Sequence, residues 1–212
     1  MSERPPNVIV VSAPSGAGKS TVLGRILEEL PGIRFSVSHT TRKPREGETD
    51  GVHYHFVSKK AFEELKGSGR MLEWAHVHDH LYGTSHAEYE RARGEGVDLL
   101  LDVDVQGAAQ VRMKIPDAVS IFILPPSFEA LERRLRGRGS ESESVVARRL
   151  RAAAEEASLF GEYEFTLVND DLDRCVESLK CVIRAGRCRT SRMGGEAGRI
   201  LDTFPEKRVR RD

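Results

Sequence analysis

Ala13-Pro14-Ser15-Gly16-Ala17-Gly18-Lys19-Ser20-Thr21 follows the apolar run Asn7-Val8-Ile9-Val10-Val11 and precedes a helical pattern. A strand, a glycine-rich loop and a helix in that order make a cradle for the phosphates of a nucleoside triphosphate. Backbone N–H groups must wrap the phosphate oxygens, so Gly16 and Gly18 spare the loop a Cβ. Lys19 supplies a point charge near the β- and γ-phosphates, and the Ser20 hydroxyl can ligate Mg²⁺. Ala13 stands where the motif usually has its first glycine. An isolated Gly-Lys-Ser also reads as a plain turn; the flanking strand and helix decide for the cradle.

Beyond the loop, Val22, Leu23, Ile26, Leu27 and Leu30 recur at helical spacing, and Pro31-Gly32 ends that helix. The run Val97 to Val105 is nearly continuous in apolar residues, as in a parallel strand buried on both faces. Further strands are predicted at Ala118 to Leu124, closed by Pro125-Pro126, and at Phe165 to Val168. Helices are predicted over Ser127 to Arg136, about Ser144 to Ser158, and Asp171 to roughly Gly186. Strands alternating with helices imply an α/β fold, a parallel sheet flanked by helices.

Between about Ser38 and His86 the texture changes to short strands, His53 to Val57 and Met71 to Val77, with several glycines and one helix, Ser58 to Lys66. This reads as a small mixed α+β insertion. Ser85-His86-Ala87-Glu88 has the form of a capping box that restarts a core helix. All seven histidines fall in this insertion, and His76, His78 and His80 would share one face if extended. Such alternation on a hairpin marks a solvent face more often than a zinc site.

Composition bounds the rest. The 212 residues are 39% apolar and 31% charged, ordinary for a globular chain with a buried core. No apolar stretch approaches the ~20 residues of a membrane span, and Met1 to Pro6 lacks the apolar centre of a signal peptide. Cys175, Cys181 and Cys188 are odd in number and fit no zinc spacing, so reduced thiols and a cytoplasmic setting are expected. Arg184 to Asp212 carries nine Lys or Arg and four Asp or Glu. A basic tail can touch nucleic acid or acidic lipid, but the simpler expectation is a solvated, partly disordered end. Gly194-Gly195 and Pro205 are expected to break any long helix there.

Three constellations bear on what happens to the γ-phosphate. Arg42 and Arg45, beside a proline turn, could clamp a phosphate with their planar forks, or could simply be a basic loop. Glu132 to Arg151 holds seven arginines, no lysine and three glutamates, which suggests phosphate recognition by a mobile helical lid. Asp102 and Asp104, two apart at the end of the central strand, share a face and lie where a P-loop enzyme keeps a carboxylate near Mg²⁺.

The order of these features resembles that of guanylate kinases over roughly Val8 to Arg187. The matching stretches include Phe35 to Arg42, Gly51 to Val57, Leu72 to Ala75, Tyr82 to Ser85, Asp102 to Gly107, Ile121 to Ser127, Gly137-Arg138-Gly139 and Val168 to Asp171. Leu81 departs from the pattern, since many relatives carry a second tyrosine there. The resemblance implies a P-loop core over 5–37, 87–131 and 152–190, a GMP-binding domain over 38–86, a lid over 132–151 and a basic tail over 191–212.

It also implies roles. Ala13 through Thr21 with Asn169 would bind ATP, and Ser20 would hold Mg²⁺, with Asp102 acting through water. Arg42, Arg45, Tyr54 and Tyr82 would hold the GMP phosphate; Glu73, Ser38, Thr84 and Asp104 would read guanine, and Glu48 and Asp102 complete the GMP set. Lys19, Arg42, Arg134, Arg138 and Arg149 would stabilise the transferring phosphoryl group. The substrates implied are ATP with GMP, and dGMP, with no membrane or nucleic-acid partner and an open oligomeric state. Two other readings compete: a P-loop kinase for another phosphorylated acceptor, and a non-catalytic guanylate-kinase-like module that binds proteins.

Overall fold

The computed structural model describes residues 5–77, 79–137 and 142–204. In chain order the elements are β1 (Val8–Ser12), α1 (Lys19–Glu29), β2 (Ile33–Phe35), β3 (His39–Thr40), β4 (His55–Phe56), α2 (Lys59–Gly67), β5 (Met71–Val77), β6 (His80–Ser85) and α3 (His86–Glu95). Then come β7 (Asp98–Asp102), α4 (Val105–Lys114), β8 (Val119–Leu124), α5 (Phe128–Arg136), α6 (Glu143–Ser158), β9 (Phe165–Val168), α7 (Leu172–Arg187) and α8 (Thr190–Leu201).

Five strands form a wholly parallel sheet in the order β2-β7-β1-β8-β9. Strand β1 is buried at every residue, which its unbroken apolar run requires. Its alternate side chains feed two cores. Ile9 and Val11 pack with Val22, Ile26, Leu179 and Ile183 of α1 and α7, while Val8 and Val10 pack with Ala92 of α3 and with Ala108 and Val111 of α4. The layers are therefore helix, sheet, helix, an α/β P-loop architecture. A second sheet, β4-β3-β6-β5, is mixed: β3 and β4 run parallel, and β6 is antiparallel to β3 and β5. Phe62, Met71 and Leu81 form its own small core with α2.

Several expectations change. The apolar run at Val97 stops being a strand at Asp102; Asp104 leaves the sheet and caps α4, accepting 2.8 Å from the Gly107 N–H. Asp102 and Asp104 thus do not share a strand face. Ser85 precedes α3 without capping it, because Glu88 is buried and occupied by Arg91, Arg34 and the Val37 N–H. The histidine run is broken by the β5–β6 turn: Val77 faces His80 and His76 faces Leu81, while His78 lies outside the described residues. Among the described residues no group of three His, Cys, Asp or Glu is placed to hold a metal ion.

The expected helix break at Gly194-Gly195 does not occur, since both lie inside α8. Each helical glycine costs about 1 kcal/mol relative to alanine. The helix is docked by Arg192, nearly buried, which donates to the Pro6 carbonyl at 2.7 Å and the Asp117 carbonyl at 3.1 Å. The end of the tail, 205–212, lies outside the described residues, as does Arg138.

Candidate active site

The phosphate loop runs from the end of β1 into the first turn of α1. Gly16 and Gly18 adopt φ of +94° and +92°, a left-handed conformation that side chains with a Cβ avoid. Close approach adds a second reason at Gly18, where a Cβ would come within 2.4 Å of the Asn169 amide. Asn169 donates 2.8 Å to the Ala17 carbonyl, and Arg134 spans both, reaching the Ala17 carbonyl at 3.1 Å and that of Asn169 at 2.9 Å. The loop is braced from the far side of the fold.

Lys19 meets the carboxylate of Asp102 at 2.5 Å and the Val103 carbonyl at 3.2 Å. Ser12, at the end of β1, ties the same carbonyl at 2.9 Å. Arg149, on α6, donates 3.0 Å to the Ser15 hydroxyl. The Ser15 N–H donates 3.2 Å to Glu156, a carboxylate 141 residues away in sequence. A carboxylate on a loop N–H is what an anion-seeking cradle attracts. Helices α5 and α6 share a small core of Leu131, Leu135, Val146, Leu150 and Ala153, which fixes Arg134 and Arg149 relative to each other.

Across from the loop stands the second sheet. Glu73 lies on β5 opposite Thr84 of β6, is only 3% exposed, and accepts 2.7 Å from the Thr84 N–H. The Thr84 and Ser38 hydroxyls are 3.0 Å apart. Burial pushes the Glu73 carboxyl up to about 7; hydrogen bonds from Thr84 oppose this, nearby Asp104 adds to it and Lys114 opposes it. Gly107 leaves room for this carboxylate, since a Cβ there would stand 2.5 Å from it. The position of β5 is set by α4: Gln110 bonds both the N–H and the carbonyl of Trp74, and Lys114 donates to the Met71 and Leu72 carbonyls.

Arg42 is held in a two-pronged pair with Glu48, at 2.9 and 2.8 Å, and lies over the rings of Tyr54 and Phe56. The pair raises the Arg42 guanidinium further above its ordinary value and draws the Glu48 carboxyl down to about 2, the Arg45 N–H assisting. Tyr54 and Tyr82 meet edge to face.

One cleft of about 340 Å³ lies between the phosphate loop and the second sheet, and Arg42, Glu48, Arg134 and Arg149 stand outside its lining. Ala13 to Gly16, Gly18, Lys19 and Ser20 line it from the loop; Ser38, Tyr54, Glu73 and Tyr82 line it from the second sheet, with Asp102, Asp104 and Glu156 between. A further cavity of about 530 Å³ is bounded by Gly16, Gly18, Thr21, Arg134 and Asn169. Thr84 acts on the cleft through Glu73. The Arg45 side chain is exposed, and only its backbone N–H joins the Arg42–Glu48 cluster. Sequence reasoning missed Glu156, Gln110 and Lys114. The first has no local signal; the other two lie one turn apart on α4, a helix not foreseen at all.

The comparisons with known proteins agree with this geometry. The family model described as Guanylate kinase matches residues 5–186. Guanylate kinases of Syntrophotalea carbinolica and Vibrio cholerae are 51% identical over 195 residues and 48% over 197; each alignment covers 92% of this chain, and 93% and 95% of the relative. The crystal structure of guanylate kinase from Anaplasma phagocytophilum superposes with a TM-score of 0.79 at 33% identity, covering 97% of this chain and 98% of that one. The match runs through both sheets and every segment between them, and so the chain belongs to the guanylate kinase family, whose members are ATP:GMP phosphotransferases.

Proposed function

We propose that the two walls of the cleft divide the transfer of a γ-phosphoryl group from ATP to GMP, and to dGMP, the phosphate loop taking the donor and residues 38–86 the acceptor. The observation that carries this division is the buried carboxylate of Glu73 facing the phosphate loop across one cleft. Guanine offers N1–H and N2–H₂ side by side, and one carboxylate accepts both. Adenine has no such donor pair, so it would leave Glu73 unmet and is rejected. Ser38 and Thr84 orient the carboxylate, and Asp104 adds a further acceptor.

The acceptor phosphate is already ionised, so no general base is required. The obstacle is charge: two unit charges ~5 Å apart at an effective dielectric near 20 repel by about 3 kcal/mol, and several such pairs meet. In our reading Lys19 exchanges Asp102 for the donor phosphates, Arg42 exchanges Glu48 for the acceptor phosphate, and Tyr54 and Tyr82 donate to it. Arg134, Arg138 and Arg149 come from the segment 132–151, which we read as a lid that closes to exclude competing water. Ser20, exposed at the start of α1, and Asp102 line the same cleft, and such hard oxygen donors suit Mg²⁺. When bound, the ion neutralises charge on the β- and γ-phosphates. The free thiols of Cys175, Cys181 and Cys188 fit a reducing compartment, and we place the reaction in the cytoplasm.

A coupled assay across GMP, AMP, CMP, UMP and ribose phosphates tests the assignment; turnover centred on a non-guanine acceptor overturns it. Neither competing reading gains support. Another phosphorylated acceptor would not need Glu73 beside the phosphate clamp, and a binding module would not need Lys19 and Ser20.

Two results are expected at this site. Arg42→Ala and Arg45→Ala each raise KM for GMP roughly ten- to a hundredfold, the loss of about 1.5–3 kcal/mol from a charged contact, with little change in KM for ATP. Arg42, held over the Tyr54 and Phe56 rings, shows the larger effect, and equal effects on both nucleotides remove the loop from the acceptor site. The pH dependence follows from Glu73. Guanine needs the charged form, whose free-enzyme midpoint is about 7. KM for GMP therefore rises as pH falls below 7, by about tenfold per unit, while KM for ATP stays flat. Initial rates between pH 5.5 and 8.5 read this, and a flat GMP profile contradicts it.

A further inference from the structure

The second sheet, whose strands β3 and β4 start directly after the cleft residues Ser38 and Tyr54 and whose β6 carries Tyr82, presents a different chemistry on its reverse. Side chains alternate across a sheet, and His39 and His55, each one residue on from a cleft residue, line a separate cavity of about 250 Å³ with Arg70, Ser85, His86 and Arg91. Its cationic and neutral donors come from β3, β4, β6, α3 and the turn between α2 and β5, and no carboxylate lines it among the described residues.

The groups are short of partners. The Nδ1 of His39 is buried without a hydrogen bond. Arg70 gives its Nε to Ser68 at 2.9 Å, and its two terminal nitrogens meet no acceptor among the described residues. The Ser85 hydroxyl, nearly buried, does not cap α3; the Arg70 carbonyl takes the His86 N–H at 2.9 Å, and the Ala87 and Glu88 N–H groups of that ten-residue helix remain uncapped beside it among the described residues. Arg91 shares one nitrogen with Glu88, which is itself occupied by Arg34 and the Val37 N–H. Three imidazoles suggest a metal, but they do not converge to hold one. Two guanidinium groups, several N–H donors and no carboxylate among the lining residues suit an anion.

We propose that this cavity binds a single phosphoryl group, as inorganic phosphate or on a small phosphomonoester, behind the sheet that holds GMP. Its volume is below the range of pockets for larger ligands, which limits the occupant to a small one. The His39 and His55 rings, 4.7 Å apart, form one wall, Arg70 the planar fork and α3 the helix end. Burial first, then His55, push the His39 imidazole down to about 4, Arg91 adding to this while Glu88 and Asp50 oppose it, so at neutral pH His39 is an uncharged donor and the positive charge at the site is that of Arg70 and Arg91. Burial and Lys114 likewise lower His86, against Glu90.

The test uses full-length protein saturated with GMP and a non-hydrolysable ATP analogue, so that both nucleotide sites are filled. Inorganic phosphate is titrated at constant ionic strength while the imidazole signals are followed by NMR. Saturable shifts of His39, His55 and His86 are expected at millimolar phosphate. Arg70→Ala should raise the midpoint by at least about fivefold with kcat and KM for GMP unchanged, while Lys60→Ala, a cation elsewhere on the same lobe, should leave it alone. Glycerol 3-phosphate in place of phosphate separates the two sources: matching shifts identify a phosphomonoester site, and shifts with inorganic phosphate alone a free-phosphate site. Absence of saturation, an equal response to chloride, or an Arg70→Ala midpoint like that of the parent protein overturns the proposal.

Discussion

Lys19→Ala is expected to reduce phosphoryl transfer by at least about 10²–10³-fold in single-turnover measurements while the protein folds normally and still binds GMP. The reasons are separable. The Lys19–Asp102 pair is partly exposed, with side chains 20% and 29% accessible, and such pairs contribute only about 0–1 kcal/mol to stability. Asp102 can regain water when the ammonium is lost, so no buried charge is stranded and the melting temperature should move by a few degrees at most. In the proposed reading GMP meets chiefly residues 38–86, none of which depends on Lys19 for its position. The transferring phosphoryl group, by contrast, loses the cation that β1, the loop and α1 are arranged to present. A small effect on turnover with an unchanged melt would remove the phosphate-loop assignment; a collapsed melt would show that Lys19 is structural. Lys19→Arg keeps the charge but not its compact shape, and should recover little.

That assignment was legible because the loop is contiguous: strand, glycines, Lys19 and helix occupy consecutive residues and obey local rules. The same holds for β1, β9, α5 and α7, whose apolar periodicity is strong and whose ends carry proline, serine or aspartate signals. Helix α4 was not seen because it shows so little amphipathic pattern; it buries only Gly107, Ala108 and Val111. Strands β2, β3 and β6 are short or irregularly buried and exist through their pairing, a long-range fact with no local trace. Helix α8 was expected to fail at Gly194-Gly195, and propensity was overridden by the docking of Arg192 on Pro6 and Asp117.

The proposed acceptor wall is legible only through resemblance. Nothing local distinguishes Glu73 from an exposed carboxylate beside Trp74. Its burial comes from a β5–β6 register and from α4 gripping the strand through Gln110 and Lys114, contacts between residues 36 to 43 apart. Arg42 and Glu48 were placed separately in the acceptor set. They are paired with each other here, and in the proposed reading Glu48 holds the arginine that the acceptor phosphate would claim.

Glu73→Gln is expected to lower kcat/KM for GMP by an amount equivalent to about 2–4 kcal/mol, to lower that for IMP less, and to leave ATP affinity unchanged. The substitution keeps size and exchanges one acceptor oxygen for an NH₂ donor. That donor either faces a guanine N–H or turns and takes the place of the oxygen that accepts from Thr84. Both outcomes leave a buried donor unmet. IMP lacks the N2 amine, so the remaining amide oxygen can still meet its single N1–H, and the GMP-to-IMP ratio falls. Stability should move the other way. The Glu73 carboxyl titrates near 7 in the folded protein against 4.5 ordinarily, so the folded state binds the extra proton. Its contribution is fully present below about 4.5 and is lost as pH rises through 7, a cost of about 3 kcal/mol at most above that point. The substituted amide carries no such charge, so at pH 8 the variant should melt higher than the parent protein, and at pH 5 the gain should shrink to about a quarter. An exposed carboxylate predicts neither result: the GMP-to-IMP ratio would be unchanged and the two melts would track each other at both pH values. A variant that loses GMP selectivity while gaining stability chiefly at high pH therefore identifies Glu73 as a buried charge maintained, against the interest of folding, for guanine.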